Sequence, residues 1–337
     1  MKNVEKQPRL TVLTRTSLSC KAIGRNAGRP GKAGKLLMIS DFSDESINAE
    51  RRAAMLSCEL GDTPLEVMAV VNSDSGAVRR HSLTVISEED LPQVRDIELG
   101  LRDASSRLRE WQGLDYVCSI RFGNPVAAIV ERADEVEAVL LVVASYKSTL
   151  AESLSRGYGT NDVIRAIERP ALVVNRVSQR AYMKIVIAVD VTEPLPHVAS
   201  TAIRLAGDAH YHFLFVIDDN KAMLNLGDRE PNETRLLRRM REDRMMQANL
   251  TGFINALGLK QERVQSVVRR GHPSSAVCAY ANEIGADLIV CGKRASRYSG
   301  NGIIGSVATE LLVQTACDLL VVPPATGESR YSDRPAA

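Results

Sequence analysis

The sequence predicts an α/β fold built twice in tandem, each copy a five-stranded parallel sheet flanked by helices. Three observations predict it. Landmarks recur at one offset, apolar runs alternate with stretches of helical period, and 337 residues suit two cores of about 150 residues better than one. Asp41 closes the run Leu36–Ser40, and Asp190 closes Ile185–Val189. Gly123-Asn124-Pro125 recurs as Gly271-His272-Pro273, Ala144 matches Gly292, and Gly157 matches Gly305. The offsets are 149, 148, 148 and 148 residues, and chance does not hold four landmarks at one spacing.

In the second copy, Lys184–Val189 is a continuous apolar run suited to a strand buried on both faces. Pro194 and Pro196 precede Val198, Ala202, Ile203, Leu205 and Ala206, which recur at helical spacing. His212–Ile217 is the next strand, and Glu233–Leu257 is a long helix with basic residues between its apolar ones. Val264–Val268 is a third strand, and Gly271-His272-Pro273 turns into a helix that runs on to Ile284. Leu288–Cys291 and Leu319–Val322 are the fourth and fifth strands, with a helix over Ser306–Thr315 between them. The first copy gives strands at Leu36–Ser40, Leu65–Val71, Tyr116–Phe122, Val139–Val143 and Ala171–Asn175. Strands separated by helices imply parallel pairing through right-handed crossovers. The expected division is a basic disordered tail over 1–34, domains over 35–176 and 183–324 with a short linker between, and a polar disordered tail over 325–337.

Composition narrows the function classes. The net charge of +2 hides an asymmetry: residues 1–35 carry nine Lys/Arg and one acid, so this stretch is +8 and the remainder −6. An acidic body argues against nucleic-acid binding. The tail has no long apolar h-region, and its basic, acid-poor composition weakly resembles a transit peptide; it reads as a disordered extension or an over-called start. No apolar run approaches the ~20 residues of a membrane helix. The six cysteines are scattered without CxxC or zinc spacing, which points to a reducing cytoplasm. His210 and His212 share a strand face without a third ligand and read as polar positions, not metal ligands. Arg235, Arg238, Arg239, Arg241 and Arg244 are interleaved with Glu233, Glu242 and Asp243 and read as a solvated helix face.

The candidate site follows the fourth strand of the second copy. Gly292-Lys293-Arg294-Ala295 is followed by nine residues and then by Gly305-Ser306, which opens a helix. Parallel sheets bind ligands beyond the C-terminal ends of their strands. A helix N-terminus there offers unpaired N–H groups and a positive dipole end to phosphate. Ser306 can donate its hydroxyl or cap the helix, and Lys293 and Arg294 add positive charge, although both are surface charges by default. Alone, Asp190 is better read as accepting N–H bonds in the following turn; beside the glycine loop it is assigned to the ligand. No Ser-His-Asp or Cys-His arrangement is visible, so no catalytic residue and no metal ligand is assigned.

The order strand-Asp, Gly-x-Pro, then Gly-x-x-Gly, nine residues and Gly-Ser resembles the universal stress protein family in its tandem form. The likeness runs over about residues 35–324. It is carried by Ala286–Gly292, Gly305-Ser306-Val307-Ala308 and Cys317–Pro323. It implies two Rossmann-like (adenine nucleotide alpha hydrolase-like) domains. In the ATP-binding branch it implies a nucleotide, ATP or another adenine nucleotide with or without Mg²⁺. By position, Asp190 would sit near adenine or ribose and Val216 near the adenine ring. Gly292, Ala295, Gly305, Ser306 and Val307 would line ribose and phosphates. The second motif glycine is Ala295, whose methyl group opposes close approach. The first copy has Ala144, Lys147, Gly157 and Tyr158 at these positions and reads as nucleotide-free, with Asp41 a relic of the fold.

The functional expectation is a cytoplasmic ATP-binding stress-response protein, at most a slow ATPase, with an unidentified protein partner. The two fifth strands are natural pairing edges, and the resemblance implies that they pair as an internal pseudo-dimer, with a further homodimer open. Two alternatives stand beside it. One is an interaction module that has lost its ligand, which Ala295 would favour. The other is an enzyme of a related ATP-using α/β group, for which Asp218 and Asp219 are the only carboxylate pair placed for Mg²⁺.

Overall fold

The computed structural model describes residues 11–14, 34–72, 79–80, 83–86, 91–112, 116–145, 159–177, 179–191, 195–218, 232–293 and 304–325. It divides into two compact units, residues 1–169 and 170–337.

In the first unit, the elements are β1 (Thr11–Thr14), β2 (Leu36–Ile39), α1 (Asp44–Glu59), β3 (Leu65–Val71), β4 (Arg79–Arg80), β5 (Leu83–Ile86), α2 (Leu91–Gln112), β6 (Tyr116–Phe122), α3 (Pro125–Glu135), β7 (Leu140–Ala144) and α4 (Thr160–Ala166). Strands β7, β2, β3 and β6 lie in that order and pair in parallel. Leu36, Leu37 and Met38 of the inner strand are wholly buried. Covering both faces of a strand in this way is what a continuous apolar run requires. The sequence reading gave no strand within residues 1–34. The structure places Thr11–Thr14 antiparallel to β5, where Thr-Val-Leu-Thr supplies β-branched residues suited to a ladder.

In the second unit, the elements are β8 (Ala171–Val174), β9 (Lys184–Ala188), α5 (Pro196–Leu205), β10 (His210–Ile217), α6 (Asn232–Ala256), a 3₁₀ turn (Gln261–Arg263), β11 (Val264–Arg270), α7 (Pro273–Ile284), β12 (Leu288–Gly292), α8 (Ser306–Gln314) and β13 (Asp318–Val322). The strand order is β11-β10-β9-β12-β13-β8. The first five are parallel, and β8 runs antiparallel to β13 through Leu319↔Val173, Leu320↔Leu172 and Val321↔Ala171. The fifth strands of the two sequence copies therefore pair with each other. Asp318, 1% exposed, ties this region together. Its carboxylate accepts from Tyr182 Oη at 2.7 Å, Asn175 N at 2.8 Å and Arg176 N at 3.2 Å. The linker expected over Arg176–Tyr182 is thus pinned at both ends.

Both Gly-x-Pro segments do the same local work. Gly123 and Gly271 have φ of 108° and 131°, a region that side chains rarely adopt. Each N–H extends the neighbouring ladder, to Val71 O and Ile217 O at 3.0 Å. The proline then occupies the first turn of α3 or α7, where its missing N–H costs nothing.

The copies differ in one buried pair at matched positions. In the first, Glu66 has a fully buried side chain and accepts from Arg132 Nε at 2.7 Å, Arg132 Nη2 at 2.9 Å and Ser119 Oγ at 2.7 Å. In the second, His212 Nδ1 meets Tyr280 Oη at 2.8 Å. The surface pair outside it persists, as Arg121–Glu135 and Arg269–Glu283. Burial pushes the Glu66 carboxyl up, but the Arg132 and Ser119 hydrogen bonds outweigh it and hold it below 4.5. Burial, with Lys184 and His210 nearby, holds the His212 imidazole below 6.5.

The signs follow. A lowered folded pKa gives stability that is present above the unfolded value and lost as pH falls through the folded one. Glu66→Gln is expected to destabilise the first unit by about 2–4 kcal/mol at neutral pH, because Arg132 loses a buried partner and keeps only Glu135. In urea denaturation the difference from the unmodified protein should begin to shrink below pH 4.5, where Glu66 of the unfolded chain takes up its proton, and vanish once the folded carboxyl is protonated as well. The His212 contribution has the same sign: it should be full above pH 6.5 and fall away as the pH drops below that value.

Candidate functional site

Strand order places the site. From β9 the chain winds outward to β10 and β11, then returns to β12 on the other side of β9. The C-terminal ends of β9 and β12 are therefore neighbours whose connections leave in opposite directions, the arrangement that opens a crevice in a parallel sheet. A cavity of about 550 Å³ lies there.

Six of the nine sequence-predicted residues line this one cavity: Asp190, Val216, Gly292, Gly305, Ser306 and Val307. Asp190 comes from the end of β9, Val216 from β10 and Gly292 from the last position of β12. Gly305 is the N-cap of α8, with φ −60° and ψ 151°, and no side chain caps the helix. The first intrahelical bond is Thr309 N to Gly305 O at 3.1 Å, so α8 presents its first-turn N–H groups beside Ser306 and Val307. A 550 Å³ cavity with uncapped amide donors at one end and apolar walls has the shape of a small-molecule site.

Lys293 is placed differently from the expectation. It is 8% exposed, not a surface charge, and it does not line the cavity. Its N–H goes to Val322 O at 2.6 Å and continues the β12–β13 ladder. Arg294 and Ala295 lie outside the described residues, as do Asp219, Lys147, Gly157 and Tyr158. Gly292 serves close packing: a Cβ there would sit 3.0 Å from Leu195 Cδ1 and 3.5 Å from Val198 Cγ2. The start of α5 thus leans onto the strand end that a glycine leaves open.

The sequence reading missed several walls. Leu195, the N-cap of α5, Val198 of α5, Met246 and Phe253 of α6, and Val277 of α7 complete the apolar lining. The 3.6-residue period of α6 carried this signal, since Met246, Leu250 and Phe253 share one face. Phe253 meets Phe213 edge-on at 6.2 Å between ring centroids. Glu242 also lines the cavity. It and Asp243 stay part-exposed on the helix face, and Arg270 at the end of β11 bridges them at 2.7 and 2.9 Å and docks α6. Cys291 lines the cavity too, and burial pushes its thiol up to about 12.

The matching end of β2 in the first unit is built differently. Asp41 Oδ1 accepts from Ser43 N at 3.1 Å and from the Ser43 and Ser46 hydroxyls at 2.6 Å each. Its carboxylate is spent on the turn into α1, where Ser43 is the N-cap. Phe42, at φ 63°, lays its ring on α2 so closely that a Cβ on Gly100 would come within 2.5 Å of it.

Two outcomes test this geometry. Gly292→Val should cost about 1–3 kcal/mol in thermal unfolding, because Leu195 must move off the strand end. Alkylation of the native protein at pH 8 should modify half-exposed Cys58 and Cys278 well before Cys291, as peptide mapping would show.

Comparison with known proteins places this architecture. No curated protein matches the sequence. A universal stress protein from Archaeoglobus fulgidus DSM 4304 is 16% identical, covers 87% of this chain and 97% of its own, and superposes with a TM-score of 0.57. A functionally unknown protein from Pseudomonas aeruginosa PAO1 is 16% identical over 88% of this chain and 94% of its own, with a TM-score of 0.54. At these identities the likeness is one of fold. A universal stress protein in complex with cAMP is 27% identical over 43% of this chain and 99% of its own, with a TM-score of 0.34. The model of the universal stress protein family matches twice, over residues 33–175 and 181–323, and the chain belongs to that family.

Proposed function

We propose that this protein binds an adenine nucleotide, ATP or a close relative, in the cavity of the second unit and acts in the stress response as a regulatory protein. The observation that carries this reading is the convergence of Asp190, Val216, Gly292, Gly305, Ser306 and Val307 on one crevice. Val216 and Val198 offer apolar walls to a base, and the Asp190 carboxylate can accept from ribose hydroxyls. The first-turn N–H groups of α8 and its positive dipole end suit phosphate oxygens. Mg²⁺ would enter with the nucleotide, and Asp218 lines the same cavity.

Backbone amides that hold phosphate equally in the bound and reacting states give affinity, not turnover. We therefore read the protein as a nucleotide-responsive binder with at most slow hydrolysis, acting in the cytoplasm on a protein partner. Among the described residues no helix is long and apolar enough to cross a membrane. We read the domains as 35–176 and 183–324, with ligand only in the second, because in the first Asp41 is consumed by its own turn. The antiparallel β8–β13 ladder supports an internal pseudo-dimer.

One observation favours a second reading, a ligand-free interaction module. Leu195 fills the space beside Gly292 that a ligand would otherwise approach. Calorimetry on nucleotide-stripped protein separates the two. Micromolar-range ATP binding at about one site per chain, abolished by Gly305→Trp, is expected for the first. No heat at millimolar ATP would leave the second.

A further inference from the structure

Behind the cavity, α7 and α8 are joined by three polar side chains. Ser274, in the first turn of α7, is wholly buried, and its hydroxyl donates to Glu310 Oε2 at 2.5 Å. His272 Nδ1 lies 3.1 Å from Ser274 Oγ and 3.5 Å from Glu310 Oε2. A carboxylate only accepts, and the single Ser274 proton is used on it. The chain of bonds is complete when His272 carries its proton on Nδ1 and donates it to Ser274 Oγ.

The position of this tie gives it meaning. Glu310 is one helical turn past Ser306, so it holds the turn of α8 that presents the N–H groups. Ser274 is flanked along α7 by Pro273 and Val277, both in the cavity wall. The tie thus joins two walls contributed by helices on either side of β12 in the chain.

The first copy is the built-in contrast. Val126 stands at the position of Ser274, 148 residues earlier, and has no hydroxyl. Asp162 stands at the position of Glu310 and turns to its own helix, accepting from Gly159 N at 3.0 Å. Asn124, in place of His272, caps α3 through Ala127 N at 3.1 Å. Only the copy that keeps Gly292, Gly305 and Ser306 ties its helices together in this way.

We propose that Ser274 and Glu310 are positioning residues for the phosphate end of the ligand, fixing the N-terminal turn of α8 against α7. This rests on the nucleotide reading above. A carboxylate anchored by Ser274 and His272 is held away from phosphate, and α8 cannot slide along α7 without breaking a charge-assisted bond to the buried Ser274 hydroxyl. The phosphate contacts then depend on the tie, whereas the contacts to the base do not.

The test is calorimetry with MgATP and with adenosine, on the unmodified full chain and on Ser274→Ala, Ser274→Thr and Glu310→Gln, with thermal melting of each. Ser274→Ala is expected to weaken MgATP about tenfold and to leave adenosine within about twofold. Ser274→Thr and Glu310→Gln keep a donor and an acceptor and should retain most of the MgATP affinity. Equal loss for both ligands would mean that the tie is merely structural, and unchanged MgATP affinity would mean that it does no positioning; either overturns the proposal. Absence of MgATP binding by the unmodified protein would instead remove the nucleotide reading and this proposal with it.

Discussion

Everything in the second unit depends on the parallel pairing of β9 with both β10 and β12. Parallel strands need crossovers, and crossovers place every strand's C-terminal end on one edge of the sheet. Because the chain goes out to β11 on one side and resumes at β12 on the other, two of those ends have diverging connections. A crevice is the geometric consequence. Asp190, Gly292 and the first turn of α8 are in it because of where their strands end, and their chemistry matters only once that is settled.

The interior that holds the pairing in place is ordinary. Ile185, Val186, Ile187, Leu288, Ile289 and Val290 are all at most 1% exposed. Burial of such side chains is worth about 1.5–3 kcal/mol each before the cost of ordering the chain. Three polar ties have a visible purpose. Asp318 gathers the linker and Arg270 docks α6, while the bond from Ser274 to Glu310 joins α7 to α8.

Duplication provides an internal control. The Gly-x-Pro turns are kept in both copies because the left-handed glycine and the first-turn proline solve a backbone problem common to both. The pair at matched positions behind β3 and β10 has changed together, from Glu66–Arg132 to His212–Tyr280. A lone change of either partner would leave a buried charge or donor unanswered, so the two positions move as one. At the strand ends the copies have diverged in use: Asp41 is locked by Ser43 and Ser46, and Phe42 lies across α2, whereas Asp190 faces a cavity.

The sequence by itself determined the duplication, the α/β class and most strand positions, because continuous apolar runs and helical periods are local signals that survive translation into structure. It also singled out Asp190, Gly292, Gly305 and Ser306, since a strand end or a helix start is legible from its neighbours, while Val216 and Val307 were assigned only through the family resemblance. What it left to the tertiary structure were relations between distant residues. Lys293 reads as a surface charge in the chain and is buried in the fold, because its N–H continues a ladder with a strand ~30 residues away. Glu242 and Asp243 read as part of a solvated helix face and pair with Arg270 of a neighbouring strand. Ser274, His272 and Glu310 carry no shared motif and meet only because α7 and α8 pack together. Local pattern determines which elements form; which side chains then face one another is decided by packing, and no window of sequence contains it.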